Sequence, residues 1–211
     1  MVDSGEKQLV FVGLGNPGKK YEMTRHNMGY LVIRALAHLH GLQIKEEKRF
    51  LARVARGRIQ NVDVHLVLPT TYMNESGQAV RRYIDYFKLT TEDIVVVSDD
   101  VAIPFGEMRL RPQGTAGGHN GLKSVERHLG TTQYVRLRMG IGREREIGKE
   151  LSGYVLDRFT KSELEKLPML LEGGAQVLVR LLTERVGTVM NVVNVRKKEK
   201  EKPKKQPHES L

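Results

Sequence analysis

Between Gly13 and Asn27 the chain reads GLGNPGKKYEMTRHN, which places Asn16, Tyr21 and His26 behind the apolar run Leu9 to Val12. A glycine-rich loop further on, GTAGGHNG from Gly114 to Gly121, carries His119 and Asn120. Of seven histidines these two stand apart, because each lies in a polar loop beside an asparagine. His38 and His40 lie on a helical pattern, His65 alternates within a strand pattern, His128 ends a helix and His208 falls in the basic end; these five read as structural or surface groups. The chain has no cysteine and no G-x-S-x-G elbow, so thiolate and elbow-serine nucleophiles are set aside. What remains is a histidine acting as general base on water, held in one tautomer by a carboxylate such as Asp99. Asp99 and Asp100 follow the run Ile94 to Val97, and strand neighbours point to opposite faces, so one of the two at most is expected to face a site.

Two other chemistries fit less well. Gly13, Gly15 and Gly18 satisfy G-x-G-x-x-G after an apolar run, as a dinucleotide fingerprint would. That loop needs a helix N-terminus at its third glycine and an acidic residue about twenty positions on. Here Pro17 and the charged stretch Lys19 to Arg25 separate Gly18 from the next helical pattern, so the glycines are read as a tight turn lying close to something else. No histidine makes H-E-x-x-H or another metal-ligand spacing, and no metal or cofactor is expected.

The elements that must carry these groups alternate. Leu9 to Leu14, Val62 to Leu68, Ile94 to Val97 and Tyr134 to Ile141 are predicted strands, with a weaker one over Phe50 to Ile59 and a turn at Gln60-Asn61. Asn27 to His40, Gly77 to Leu89, Leu122 to Leu129 and Ser162 to about Glu184 carry helical periodicity, the last with Pro168 and Gly173-Gly174 inside it as possible breaks. This pattern implies a single α/β domain with a mixed twisted sheet flanked by helices, assigned to residues 1–195. Polar residues gather where the predicted strands end: Asn16, Tyr21 and His26 after the first, PTTYMN ending in Asn74 after Val62 to Leu68, and Ser98-Asp99-Asp100 after Ile94 to Val97. Ligands of open α/β sheets bind beyond those ends. Plainer roles exist for some of them: Asn74 could cap the following helix, and Tyr72 and Met73 could fill the core.

The formal charge of +10 points to a polyanionic partner. Residues 196–211 hold seven Lys/Arg against three Glu, +4 of that total, and read as a solvated, disordered tail. No apolar run reaches the roughly 18 residues of a membrane span, and the polar stretch Met1 to Gln8 does not read as a signal peptide, so a cytoplasmic protein is expected.

Five segments, GLGNPGKKYEMTRHNMG, PTTYMNESG, the aspartate after IVVVS, GTAGGHNGLKS and YVRLRMGIG, occur in the order and approximate spacing of bacterial-type peptidyl-tRNA hydrolase. The chain resembles that family over roughly residues 8 to 190, with the basic end outside the resemblance. The resemblance implies an esterase that frees peptide from prematurely dissociated peptidyl-tRNA. His26 matches the base that activates water and Asp99 the aspartate that orients it. Asn16 matches the position that distinguishes peptidyl from free aminoacyl esters. Tyr21, Tyr72, Asn74 and Asn120 match positions that contact the tRNA acceptor end or the peptide backbone, and His119 is expected to support them.

Arg109, Arg111, Lys123, Arg136 and Arg138 flank the expected cleft, and the alternation of Arg136 and Arg138 puts both on one strand face, to grip the acceptor stem and CCA end or simply to meet solvent. Among Arg143, Arg145 and Lys149 the alignment leaves the phosphate contact open. A monomer is expected. The rival reading is a non-catalytic RNA-binding relative of the group II intron splicing-factor type.

Overall fold

The computed structural model of the chain describes residues 7–142 and 151–195. Seven strands form one sheet: β1 (Gln8–Gly13), β2 (Lys45–Glu47), β3 (Ala52–Ile59), β4 (Val62–Pro69), β5 (Ile94–Pro104), β6 (Met108–Arg111) and β7 (Val135–Gly142), in the spatial order β2-β3-β4-β1-β5-β7-β6. The pairs β4-β1, β1-β5 and β5-β7 run parallel, while β2-β3, β3-β4 and β6-β7 are antiparallel, which makes the sheet mixed as expected. Among the described residues six helices accompany it: α1 (Met28–Leu39), α2 (Ser76–Phe87), α3 (Asn120–Leu129), α4 (Leu151–Leu156), α5 (Lys161–Thr183) and α6 (Val186–Val193).

Strand alternation divides the apolar residues between two cores. Phe11, Leu66, Val97, Leu137 and Met139 face α1 and α5, and Val10, Val12, Val67, Val96 and Ile94 face α2 and α3. Because β1 lies between β4 and β5, the chain crosses from one side of β1 to the other through α2. The carboxyl ends of β4, β1 and β5 therefore share one rim, the place where such sheets hold ligands.

Several elements differ from the sequence reading. The short edge strands β2 and β6 and the helices α4 and α6 were not anticipated, and β5 runs on to Pro104 through a register irregularity after Asp100. Helix α5 is continuous across Pro168 and Gly173-Gly174. A proline and two glycines inside a helix cost about 5 kcal/mol together by propensity. Burial of Leu167, Leu170, Val177, Leu178, Leu181 and Leu182 at roughly 1.5–3 kcal/mol each outweighs that. Gly174 is also where the helix lies closest to its neighbours, since a Cβ there would meet Met139 at 3.0 Å and Val32 at 3.1 Å. Residues 143–150, with Arg143, Arg145 and Lys149, and the basic end 196–211 lie outside the described residues.

Candidate active site

Strand β1 ends at Gly13, and the chain folds back on itself before α1. A Cβ at Gly13 would lie 2.5 Å from the carbonyl oxygen of Gly29, so the strand end and the first turn of α1 touch backbone to backbone. This is the close approach that the glycines of the first motif make possible. The connection carries two 3-10 turns, Lys19–Tyr21 and Arg25–Asn27, and the second delivers His26 to the sheet rim.

His26 Nδ1 lies 3.0 Å from both carboxylate oxygens of Asp99, which stands near the bend of β5. His119 Nε2 lies 2.9 Å from Asp99 Oδ1, and the two imidazole rings are 4.8 Å apart between centroids. Burial works to raise the Asp99 carboxyl, but the charge and hydrogen bonds of His119 and His26 prevail and hold it well below the usual carboxylate range. An ionised carboxylate only accepts, so both imidazole nitrogens facing it are donors. His26 then keeps its lone pair on Nε2. His119 Nδ1 accepts from the backbone N–H groups of Gly121 and Leu122 at 3.1 and 3.3 Å, so this ring caps α3 with one nitrogen and holds Asp99 with the other.

His26, Asp99, His119 and Asn120 line one cavity of ≈ 290 Å³, together with Asp100, Arg138 and residues of α4. The three ligand-type atoms of His26, Asp99 and His119 lie within 4.8 Å of one another, a set that could hold a cation. In this arrangement each of the three is engaged with another by a hydrogen bond. Asp100 corrects the strand-alternation expectation. Its side chain leaves the opposite face of β5 and pairs with Arg138 at 2.9 Å, yet it lines the same cavity, which sits off the end of the sheet and spans both faces.

Asn16 is buried beside this cavity rather than in its wall. Its Oδ1 accepts from Met73 N at 2.8 Å, while Asn27 clamps its backbone, accepting from Asn16 N at 2.8 Å and donating to Asn16 O at 3.0 Å. The amide N–H groups are what Asn16 has left to offer a ligand. Tyr21 is half-buried with Lys20 Nζ 4.7 Å from its ring centre, and Tyr72 and Asn74 are exposed on the turn that precedes α2. None of these three lines the cavity, although Met73 between the latter two is tied to Asn16. Asn74 does not cap α2, whose first turn has no side-chain cap.

Of the expected phosphate contacts, Arg136 is a correction. It is 1% exposed, bonded to the carbonyls of Thr115 and Thr132, paired with Glu126 and stacked over Tyr134, so it braces the glycine-rich loop. Alternation fixed its face correctly but could not show that a loop covers it. Arg111 and Lys123 are exposed and Arg109 half-buried. The charged stretch Lys19 to Arg25 also ends in a residue that its sequence context does not single out, Arg25. It is buried, forms a two-pronged pair with Glu163 of α5, and bonds Tyr154 O. The signal available was the T-x-x-E capping box at Thr160 and Glu163, which placed Glu163 at a helix start without showing its partner.

This arrangement can do one kind of chemistry directly: deprotonate a water and present it to a carbonyl held by amide donors. Among the described residues no helix is long and apolar enough to cross a membrane. The sequence profile of the peptidyl-tRNA hydrolase family matches residues 10–203, running into the basic end beyond residue 195. A peptidyl-tRNA hydrolase of Gloeobacter violaceus is 46% identical over 89% of this chain and 94% of its own length. One from an Exiguobacterium is 51% identical over 74% of this chain and 83% of its own. The crystal structure of peptidyl-tRNA hydrolase from Acinetobacter baumannii superposes with a TM-score of 0.83 at 34% identity, covering 90% of this chain and 95% of that one. The profile match spans the rim motifs from Asn16 to Asn120 and both flanking helix layers, and the matches do not favour the splicing-factor reading. On the strength of that agreement, the chain belongs to the peptidyl-tRNA hydrolase family.

Proposed function

We propose that this chain hydrolyses the ester between a peptide and the 3′-terminal ribose of tRNA, with His26 as general base and Asp99 as its orienting partner. The observation that carries the reading is the double hydrogen bond from His26 Nδ1 to Asp99, which leaves the free lone pair on Nε2. Nε2 takes a proton from water as the oxygen adds to the ester carbonyl. The tetrahedral oxyanion is met by amide donors, for which Asn120 in the cavity wall and Asn74 on the neighbouring turn are the candidates. Collapse breaks the bond to the ribose oxygen, which leaves with the proton from Nε2. An ester already has a tolerable leaving group, so the reaction needs no metal or cofactor.

Asn16 reads the peptide amide, and a free aminoacyl ester, with a charged amine in that place, pairs poorly with it. Arg138 at the cavity and the exposed Arg111 and Lys123 meet phosphates of the acceptor stem and CCA end. Tyr21 and Tyr72 offer ring faces to the terminal bases or the peptide, and His119 supports the base through Asp99. The protein works as a monomer in the cytoplasm, where translation releases its substrate.

The test is release of labelled N-acetyl-amino acid from N-acetyl-aminoacyl-tRNA, with free aminoacyl-tRNA and the His26→Ala protein alongside. Cleavage confined to the acylated substrate and lost in the variant is the expected result. Tight tRNA binding without cleavage would turn the reading toward a non-catalytic RNA-binding role.

A further inference from the structure

A second cavity of ≈ 200 Å³ is lined by Asn16 and Asn27, with Lys19, Glu22, Tyr30, Arg34 and Arg53 also in its walls. We infer that it is a subsite for an acidic side chain of the peptide, so that peptidyl-tRNAs carrying Asp or Glu close to the ester are preferred substrates. The inference rests on the hydrolase reading above and adds a peptide preference to it.

The first observation is charge. Several arginines of the described residues are spent on carboxylates, among them Arg25 on Glu163, Arg56 on Glu47, Arg81 on Asp85, Arg138 on Asp100 and Arg180 on Glu184. Lys19, Arg34 and Arg53 have no ion pair among the described residues, although all three line one cavity. The Arg34 guanidinium lies 5.9 Å from the centre of the Tyr30 ring. Burial pushes the Tyr30 phenol above its ordinary range, and the charges of Arg53 and Arg34 pull against that shift, so both cations bear on the same wall. The Tyr30 hydroxyl is committed to the Pro69 carbonyl, so the charged donors of the lining are Lys19, Arg34 and Arg53.

The second observation is position. His26 and Asn27 are consecutive in one 3-10 turn, His26 lining the first cavity and Asn27 the second. Asn27 also clamps the backbone of Asn16, so the residue assigned to the peptide amide is fixed between the two spaces. An extended peptide advances about 3.3–3.6 Å per residue. With the ester carbon at His26 and an amide on Asn16, a residue one or two before the esterified one reaches the second cavity.

The third is size and sign. The cavity is smaller than the roughly 300–1,000 Å³ that encloses a ligand of nucleotide size, and suits one side chain. Glu22 in its wall opposes any anion, and an RNA phosphodiester, singly charged like a carboxylate, brings two flanking riboses that a space of this size does not take, while Arg138, assigned to the tRNA phosphates, lines the other cavity. An acidic side chain fits these walls better than the RNA backbone does.

The test compares kcat/KM for peptidyl-tRNAs that share one tRNA and one esterified residue, with Asp, Asn or Lys in the position before it. The expected order is Asp, Asn, Lys, with Asp ahead of Asn by about two- to fivefold at low ionic strength and the difference fading as salt screens it. Arg34→Glu should invert the order, and the double variant Arg34→Lys with Arg53→Lys should keep it, which separates charge from folding. Equal rates on all three substrates would overturn the subsite and leave the hydrolase reading standing. No cleavage of any would overturn both. An Arg34→Glu protein that loses rate equally on all three, with a shallower salt dependence, would make the cavity an RNA phosphate contact and overturn the inference.

Discussion

Arg25 and Glu163, 138 positions apart in the chain, meet in a buried ion pair with Nε to Oε1 at 3.0 Å and Nη2 to Oε2 at 2.7 Å. The residue next to Arg25 is His26, so the angle at which the base enters the cavity is set from α5, on one flank of the sheet. Glu163→Gln leaves a buried guanidinium without its counter-charge, and we expect a loss of about 3–5 kcal/mol of stability. Urea unfolding measures it. kcat should fall more than KM rises, because the defect lies in aim rather than in substrate contact.

Asp99→Asn presents an amide to the two imidazoles in place of an ionised acceptor. Its NH₂ forces one ring to accept where it now donates. kcat should drop about 10²–10⁴-fold with little change in KM. A single-turnover rate equal to that of the unaltered protein would remove Asp99 from the mechanism.

His119 serves Asp99 and the start of α3 together, and two substitutions separate the duties. His119→Ala loses both, lowering the rate at least tenfold and the stability by about 1 kcal/mol. His119→Asn restores a capping side chain without the reach to Asp99. It should regain stability and not rate, as thermal unfolding read beside turnover will tell.

Acid should weaken the fold in two stages. His65 is buried with Nδ1 3.0 Å from the Tyr83 hydroxyl, and desolvation first, with the charge of Arg56 second, depresses its protonation below the ordinary 6.5. The unfolded chain therefore takes up that proton at higher pH than the folded one, and stability falls as pH drops below about 6.5. Burial tends to raise the Glu163 carboxyl, but the bond from Arg25 outweighs it and holds the group below its ordinary 4.5. Its contribution is present above 4.5 and is lost as pH falls through the folded value. Urea midpoints between about pH 2 and 8 should trace both stages. His65→Gln should flatten the upper one alone.

Much of this was legible because the groups proposed for catalysis sit in contiguous motifs at the ends of strands. An apolar run followed by polar residues marks both the strand and its rim, which is how His26, Asp99 and His119 could be read together. What stayed hidden depends on contacts distant in sequence. Strand β6 is four residues long and exists by pairing with β7; α6, rich in valine, carries a weak local preference for helix. Arg136 and Arg138 share a strand face, yet one is sealed under a loop and the other opens on the cavity, a difference no periodicity encodes. The pairing of Arg25 with Glu163 and the convergence of Lys19, Arg34 and Arg53 are of the same kind.

The backbone contact between Gly13 and Gly29 has a consequence for turnover. The strand that anchors the rim and the helix that follows His26 cannot slide past each other, because no side chain cushions the junction. His26, the proposed base, is therefore poised before substrate arrives, and the reorganisation that a softer hinge would demand in every catalytic cycle is settled once, when the chain folds. Inserting even a methyl at Gly13 should wedge that joint and blunt catalysis without altering a single polar group.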